Sequence, residues 1–341
     1  MLSAGVFATV PSGLAGVDGR RNCRCRALCH RRRCRRNARR DRSIFGRQDP
    51  VTGGLPAIRR VCTRPVDAIR WACVLEATAP KVGNVYPGRD FDDLTYLDFV
   101  TAAELTASAF EPPPPSFSHG VLAACNASAD QLGTNVNLGI LLLLGPLVQV
   151  DAADGHVRLD RSSWSSGVTA VLDSMTADDS IRLYAAINVA KPGGMGQSDE
   201  MDLSGPPPQD FLAAMRHAAT RDRIARNYSD GFADLFHHVL PVVQQSVLDE
   251  HDLLSGLVLA QLRLLAAEPD TLIARKFGDG VAREVQRRAR FDHRDAEQRD
   301  AFDRYLRTGT LDLAGQSNRI NPGTTADLIA AAVYVLLREA V

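Results

Sequence analysis

Almost nothing in this sequence of 341 residues alternates in the manner of a β-strand. Period-two runs of Val, Ile, Thr and aromatic residues are nearly missing, which argues against a sheet-based fold. Long hydrophobic runs are missing too. The longest, Leu138 to Val150, is broken by Gly145–Pro146 and falls short of the ~20 apolar residues that a membrane span needs. No hydrophobic segment of signal type follows the first charges, so no secretory signal is expected. No Gly-Lys-Ser/Thr completes a Walker A loop, no Ser/His/Asp or Cys/His set has a recognisable context, and no internal repeat is evident. Methionine is absent between Met1 and Met175. A later translation start, at Val51 or Val61, would therefore use a codon other than Met.

Formal net charge is zero, but it conceals two opposed blocks. Residues 1–47 carry 13 arginines and two acids, whereas the rest is acidic by the same margin. Four of the seven cysteines (Cys23, Cys25, Cys29 and Cys34) sit in the arginine tract. Thiolates with His30 suit zinc, arginines suit phosphates, and transit peptides are Arg-rich and acid-poor. No core-forming run appears before Pro65, so residues 1–61 are expected to be a disordered Arg/Cys-rich arm or an over-extended start. Cys62, Cys73 and Cys125 lie in apolar patterns and read as reduced, buried cysteines of a cytoplasmic protein.

From residue 62 to 341 the pattern is helical almost throughout, and the expected fold is a single all-α, multi-helix bundle domain. Pro65 suits a first helical turn, and Thr95 with Asp98 resembles a capping box. EPPPPS at 111–116 stops that helix. Further helices are expected at 117–130, from Leu138 onward, and at 162–175, 179–190, 208–220, 230–248, 251–267, 270–290, 296–307 and 324–340.

Chemistry-bearing residues gather in the segments between helices. EATAPKVGNVYPGRDFDDLTYLDF (76–99) holds Glu76, Lys81, Asn84, Asp90, Asp92 and Asp93 in one excursion, more than a plain connector needs. Thr134, Asn135 and Asn137, flanked by Gly133 and Gly139, feed an apolar helix whose start would attract phosphate. Gly193 and Gly194 lie in a glycine-rich turn of a kind that cradles phosphate. Asp270 caps a helix bearing Arg275 and Lys276. Asp327 stands one turn into an otherwise apolar terminal helix, where a lone carboxylate should be paired or bind a ligand. His237 and His238, in a helix rich in apolar residues, read as ordinary packing or surface residues. Trp71 and Trp164 read as packing.

In this order, the segments resemble the triphosphoribosyl-dephospho-CoA synthase family. Its E-x-x-x-x-P-K-P-G-x-V is similar to Glu76, Pro80, Lys81, Gly83 and Val85. Its T-N-T-x-x-G is similar to Thr134, Asn135 and Gly139. Its D-T-x-x-x-R is similar to Asp270, Thr271 and Arg275. Its S-P-G-G-S-A-D-L is similar to the segment Asn321 to Leu328. The resemblance covers about 70 to 340 and implies an all-helical transferase. That enzyme moves the triphosphoribosyl part of ATP onto 3′-dephospho-CoA and releases adenine. Val82 replaces a family proline, and Asn137-Leu138 stand where citrate-lyase members carry His-Lys. These departures are similar to a divergent archaeal and one-carbon branch, for which ribosyl transfer in a pterin-type cofactor pathway is the alternative. A helical scaffold or nucleic-acid-binding protein acting through the basic arm is the alternative of another class, and the acidic body argues against it.

The resemblance implies ATP as substrate and a small-molecule acceptor; Mg2+ is expected with the triphosphate, a homodimer is the expected assembly if the chain is not a monomer, the short apolar runs speak against a membrane span, and the acidic body argues against nucleic acid. Oxocarbenium chemistry at the ribose calls for carboxylates and a triphosphate anchor. Lys81, Arg275 and Lys276 are assigned to the triphosphate. Asp270, Asp327 and Glu76 are assigned to catalysis or magnesium, with Asp90 and Asp93 as further metal ligands. Asn84, Asn135, Asn137, Gly193 and Gly194 are assigned to the nucleotide.

Overall fold

The protein is described by a computed structural model that covers residues 54–134, 136–153, 157–190, 208–250, 252–311 and 317–340. The chain divides into two units, Met1–Gln48 and Asp49–Val341, and every described residue lies in the second. The cysteines of the arginine tract, Asn135, Gly193 and Gly194 lie outside the described residues.

Among the described residues the fold is all-α. It opens with α1 (Leu55–Val61) and α2 (Pro65–Thr78). α1 falls within the segment read as an arm, so the helical body starts before residue 62; Leu55 is buried in the core and the helix packs on the last one of the chain. α3 (Tyr96–Ala109) starts at the expected capping box: Thr95 Oγ1 accepts from the Asp98 amide, and the Asp98 carboxylate accepts the Thr95 N–H at 2.7 Å. α4 (Phe117–Leu132) ends on left-handed Gly133.

α5 (Leu138–Ala153) is apolar on every side and mostly buried, as befits a helix crossing a core. It runs on through Pro146, and Gly145 is required there because a Cβ would fall 2.6 Å from the Phe117 ring. α6 (Arg161–Asp173), α7 (Ala177–Ala190) and α8 (Phe211–Ala218) follow. α9 (Arg223–Ser229) is a separate short helix, capped by Asp222, that the periodicity does not reveal. A π-helical turn (Leu235–Val239) leads into α10 (Leu240–Asp249), where one continuous helix was expected. The imidazoles of His237 and His238 are exposed on that turn.

α11 (Leu253–Ala267) is followed by α12 (Thr271–Phe277) and α13 (Asp279–Arg288). The sequence reads as one helix over 270–290. Gly278, at φ 87°, breaks it, because only glycine takes that conformation without strain. The break leaves Arg275 and Lys276 in the last turn of α12. α14 (Ala296–Thr308), a minimal hairpin of β1 (Thr310–Leu311) and β2 (Ser317–Asn318), and α15 (Gly323–Arg338) complete the order.

α15 is the axle of the bundle. It is buried from Thr324 onward apart from Asp327 and packs on α2, α5, α10 and α11. Its far end is pinned by a buried network. Asp151 accepts from Arg338 Nε at 2.7 Å, Arg338 Nη2 at 2.9 Å and Tyr334 Oη at 2.7 Å. Its near end is bare of large side chains: Gly323 lets Leu272 approach within 2.5 Å of where a Cβ would stand. That close approach brings the starts of α12 and α15 together. Among the described residues no helix is long and apolar enough to cross a membrane.

Candidate active site

A cavity of about 860 Å³ opens between the segment 76–99, the start of α5, α8–α9, α12 and the start of α15. It lies at the upper end of the range for small-molecule sites, ~300–1,000 Å³. Of the residues expected to form a site, Glu76, Asn84, Asp93, Arg275, Lys276 and Asp327 line it. The wall has two characters. Part of the lining is apolar, with Phe99, Ile140, Leu142, Ile187 and Met215, and part is cationic, with Arg221, Arg275, Lys276, Arg283 and Arg319.

Asp327 is the most exceptional group. Its carboxylate presses on the backbone at Gly139, where a Cβ would lie 2.0 Å from Asp327 Oδ2. So Gly139, at the start of α5, is glycine because Asp327 occupies the space of its side chain. Among the described residues, no hydrogen bond or ion pair engages that carboxylate. Burial, then the neighbouring Glu76, Asp270 and Asp222, push the Asp327 carboxyl well above the usual range, and Arg275 pulls the other way. The folded protein thus holds the Asp327 proton more tightly than a free side chain would, while a lysine stands beside Glu76.

That lysine is Lys81. It is fully buried, its Nζ lies 2.8 Å from Glu76 Oε1 and it also donates to the Glu76 carbonyl. Pro80 and Gly83 turn the chain so that the lysine folds back under the end of α2. The assignment of Lys81 to the triphosphate is thus corrected: it stands behind Glu76 and does not line the cavity.

Asp270 is corrected in the same way. Oδ1 accepts the amides of Leu272 and Ile273 at 3.0 and 3.1 Å. Oδ2 accepts the Thr325 amide at 2.8 Å and its hydroxyl at 2.7 Å. It clasps the starts of α12 and α15, with both oxygens engaged away from the cavity. Burial nudges its pKa up despite these donors. Asp270→Asn should leave kcat within tenfold, because no cavity group is lost. An amide offers only one acceptor oxygen, so one clasp is left unmatched and stability should fall by about 1–3 kcal/mol. Thermal unfolding and adenine-release kinetics on the same preparation separate the two effects.

The expected metal set does not assemble. Asp90 is exposed and accepts the Tyr96 amide at 2.7 Å. Asp93 pairs with Arg319. Asp270 is engaged as described. Among the described residues no three His, Cys, Asp or Glu side chains are grouped to hold a metal. Asn137 is buried, and its neighbours Val136 and Leu138 line the cavity in its place. Asn84 is buried too, its amide engaged by Asn321 and Gln261 at 2.6 and 2.7 Å.

Five cations line the cavity: Arg221, Arg275, Lys276, Arg283 and Arg319. Arg275 donates to Asp222 at 2.7 Å, and its Nε finds no acceptor. Arg319 lies over the Phe91 ring at 4.2 Å. Lys276 is exposed, and desolvation at the wall, then Arg275 and Arg319, lower its pKa. Such mutual repulsion is what a polyanion relieves. Asp222, Arg319 and Gln261 were missed by the sequence reading. Asp222 had a readable signal, an acid before Arg-Ile-Ala at a helix start; Gln261 had another, a lone amide inside apolar α11. Arg319, in an irregular segment, had none.

The sequence matches the ATP:dephospho-CoA triphosphoribosyl transferase (CitG) family over residues 62–341. The chain belongs to this family. It is a transferase that moves the triphosphoribosyl group of ATP to dephospho-CoA. Among solved structures, it is similar to an Archaeoglobus fulgidus protein assigned as a triphosphoribosyl-dephospho-CoA synthase. Identity is 22%, the TM-score is 0.51, and the match covers 71% of this chain and 98% of that one. At that identity the likeness establishes the fold. A comparison with curated proteins finds no match. The family assignment does not favour the pterin-pathway alternative.

Proposed function

We propose that the cavity binds ATP with its triphosphate at the cationic mouth and its purine along the apolar wall, and that Asp327 and Glu76 act at the ribose between them. The observation that supports this reading is the unequal carboxylate pair: Glu76 is neutralised by Lys81, while Asp327, half-buried at the cavity wall, has no hydrogen-bond or ion-pair partner among the described residues. Pairs of acids driven apart by their surroundings take different parts in catalysis.

In the reaction the C1′–N9 bond breaks and a bond from C1′ to the acceptor oxygen forms. The proton of the acceptor hydroxyl must leave, and adenine must gain one. Protonated Asp327 donates to the departing purine, and its carboxylate then takes the acceptor's proton, which restores the starting state. Glu76 faces the positive charge that develops on the ribose. Asp90, Asp93 and Asp270 give magnesium no protein site. Magnesium would come bound to the triphosphate, with few protein ligands, and would help to neutralise its charge.

The full chain with ATP and dephospho-CoA should release adenine and form the triphosphoribosyl conjugate, both read by chromatography. Release with a pterin acceptor but not with dephospho-CoA would overturn the choice of acceptor. Lys276→Ala should raise the KM for ATP about tenfold while leaving kcat nearly unchanged, and the effect should shrink with added salt, as for any charge at an open mouth. An unchanged KM would remove Lys276 from the triphosphate site.

A further inference from the structure

Four amide groups in a row connect the core of α11 to the cavity. The Val82 N–H donates to Gln261 Oε1 at 2.9 Å, and Gln261 Nε2 donates to the Val82 carbonyl, also at 2.9 Å. A backbone N–H only donates and a backbone carbonyl only accepts, so this pair of bonds leaves one orientation for the Gln261 amide. Gln261 Nε2 also donates to Asn84 Oδ1 at 2.7 Å. Asn84 must therefore turn its Nδ2 outward, and that nitrogen donates to Asn321 Oδ1 at 2.6 Å. Asn321 is left with its own Nδ2 pointing away from the chain. Asn321 lines the cavity, and among the described residues nothing accepts from its Nδ2.

The direction of the hydrogen bonds thus passes from a fully buried glutamine to the cavity wall without a choice at any step. Asn321 lies two residues from Arg319 and six before Asp327, and it lines the same cavity as both and as Glu76. A donor placed there meets an acceptor-rich ligand, and the triphosphate offers acceptors only.

We propose that Asn321 contacts a phosphate oxygen of ATP through Nδ2, and that Gln261 and Asn84 are positioning residues that keep that donor facing the cavity. The proposal rests on the triphosphate reading of the cationic mouth. It also gives Asn84 a different role from the one its sequence position suggests: it acts on the nucleotide through Asn321.

Asn321→Ala should weaken ATP and inorganic triphosphate alike, by about tenfold or more, the usual value of a hydrogen bond to a charged group. kcat at saturating ATP should change little. Asn321→Ser serves as a second variant should the alanine protein fold poorly. Asn84→Asp reverses the polarity. Its new oxygen faces Asn321 Oδ1, so Asn321 turns over and presents an oxygen to the phosphate. Asn84→Asp should therefore raise the KM for ATP in the native background and add little in the Asn321→Ala background. A distortion or a simple charge effect would be the same in both.

Equal effects of Asn84→Asp in the two backgrounds would overturn the relay. Unchanged triphosphate binding in Asn321→Ala, or loss of ATP binding with triphosphate binding intact, would overturn the contact. Absence of triphosphate binding by the unmodified chain would overturn it as well. Titration with inorganic triphosphate needs no turnover, so failure of this contact is distinguishable from failure of the adenine-releasing reaction.

Discussion

Asp327→Asn should lower kcat about 100- to 10,000-fold, the usual contribution of a positioned acid or base, and at the same time raise the melting temperature. The two effects have one cause. The carboxyl sits against Gly139, without a partner among the described residues, near Glu76, Asp270 and Asp222. Its folded pKa lies well above its unfolded value, so the folded state holds the proton more tightly. Such a group favours the fold at low pH, and that contribution is lost as pH rises from the unfolded value of ~3.9 toward the folded one. At neutral pH it opposes folding. Asparagine has nearly the same shape and no charge to desolvate, so it removes the opposition; each kcal/mol recovered is worth about 1–2 °C in a chain of this size.

The gain should be absent near pH 4 and grow toward pH 8. Calorimetry at the two pH values and initial rates of adenine release provide the check. A variant that keeps a tenth or more of the native kcat would remove Asp327 from the chemistry. A variant that loses activity and also loses stability at pH 8 would mean that Asp327 is a structural acid, like Asp270.

Asp327 and Asp270 look alike in the sequence: each is an acid at a helix start beside threonines. Their places relative to the helix start separate them, and three dimensions show the consequence. Asp270 precedes its helix and reaches both its own amides and Thr325, whereas Asp327 lies a turn inside α15, past the point where amides are free. The helical fold was legible because caps and apolar stripes are local. Thr95–Asp98 and the all-apolar stretches of α5 and α15 announce themselves within a few residues. The split of α12 from α13 was not legible, because a lone Gly278 in a charged helix is compatible with continuation.

Lys81 shows the limit most clearly. A lysine after Pro80 in an acid-rich loop reads as a phosphate ligand, and its true partner Glu76 lies five residues back, brought round by a turn whose geometry no periodicity encodes. The relay from Gln261 was hidden for a related reason. It joins α11 to residues more than 170 positions earlier, and a single glutamine does not name its partner. Local rules marked segments that contribute residues to the cavity wall, around 76–99, 134–139, 271–276 and 321–327. Which side chains face inward depended on long-range packing.

Gly139→Ala should be as damaging to turnover as many removals of a functional group, although it adds only a methyl. Gly139 has no left-handed backbone to preserve and sits in the first turn of α5. By helix propensity alone, alanine there should stabilise by up to ~1 kcal/mol. The new Cβ would instead fall 2.0 Å from Asp327 Oδ2 and 2.9 Å from Ile224 Cδ1. The carboxylate tip is the part most able to give way, so it should swing off its position by an ångström or more while the helix holds. Displacement on that scale can cost about 100-fold in rate. The expected result is a protein with a near-native melting temperature, near-native triphosphate binding and a kcat lowered about 100-fold.

The double variant Gly139→Ala/Asp327→Asn decides whether the methyl acts through the acid. If it does, the second change adds almost nothing to the loss from Asp327→Asn alone, since there is no longer a catalytic carboxyl to misplace. Multiplying losses would show that the methyl obstructs the substrate directly, and full activity in Gly139→Ala would show that the Asp327 carboxylate works from a different place than the one beside α5.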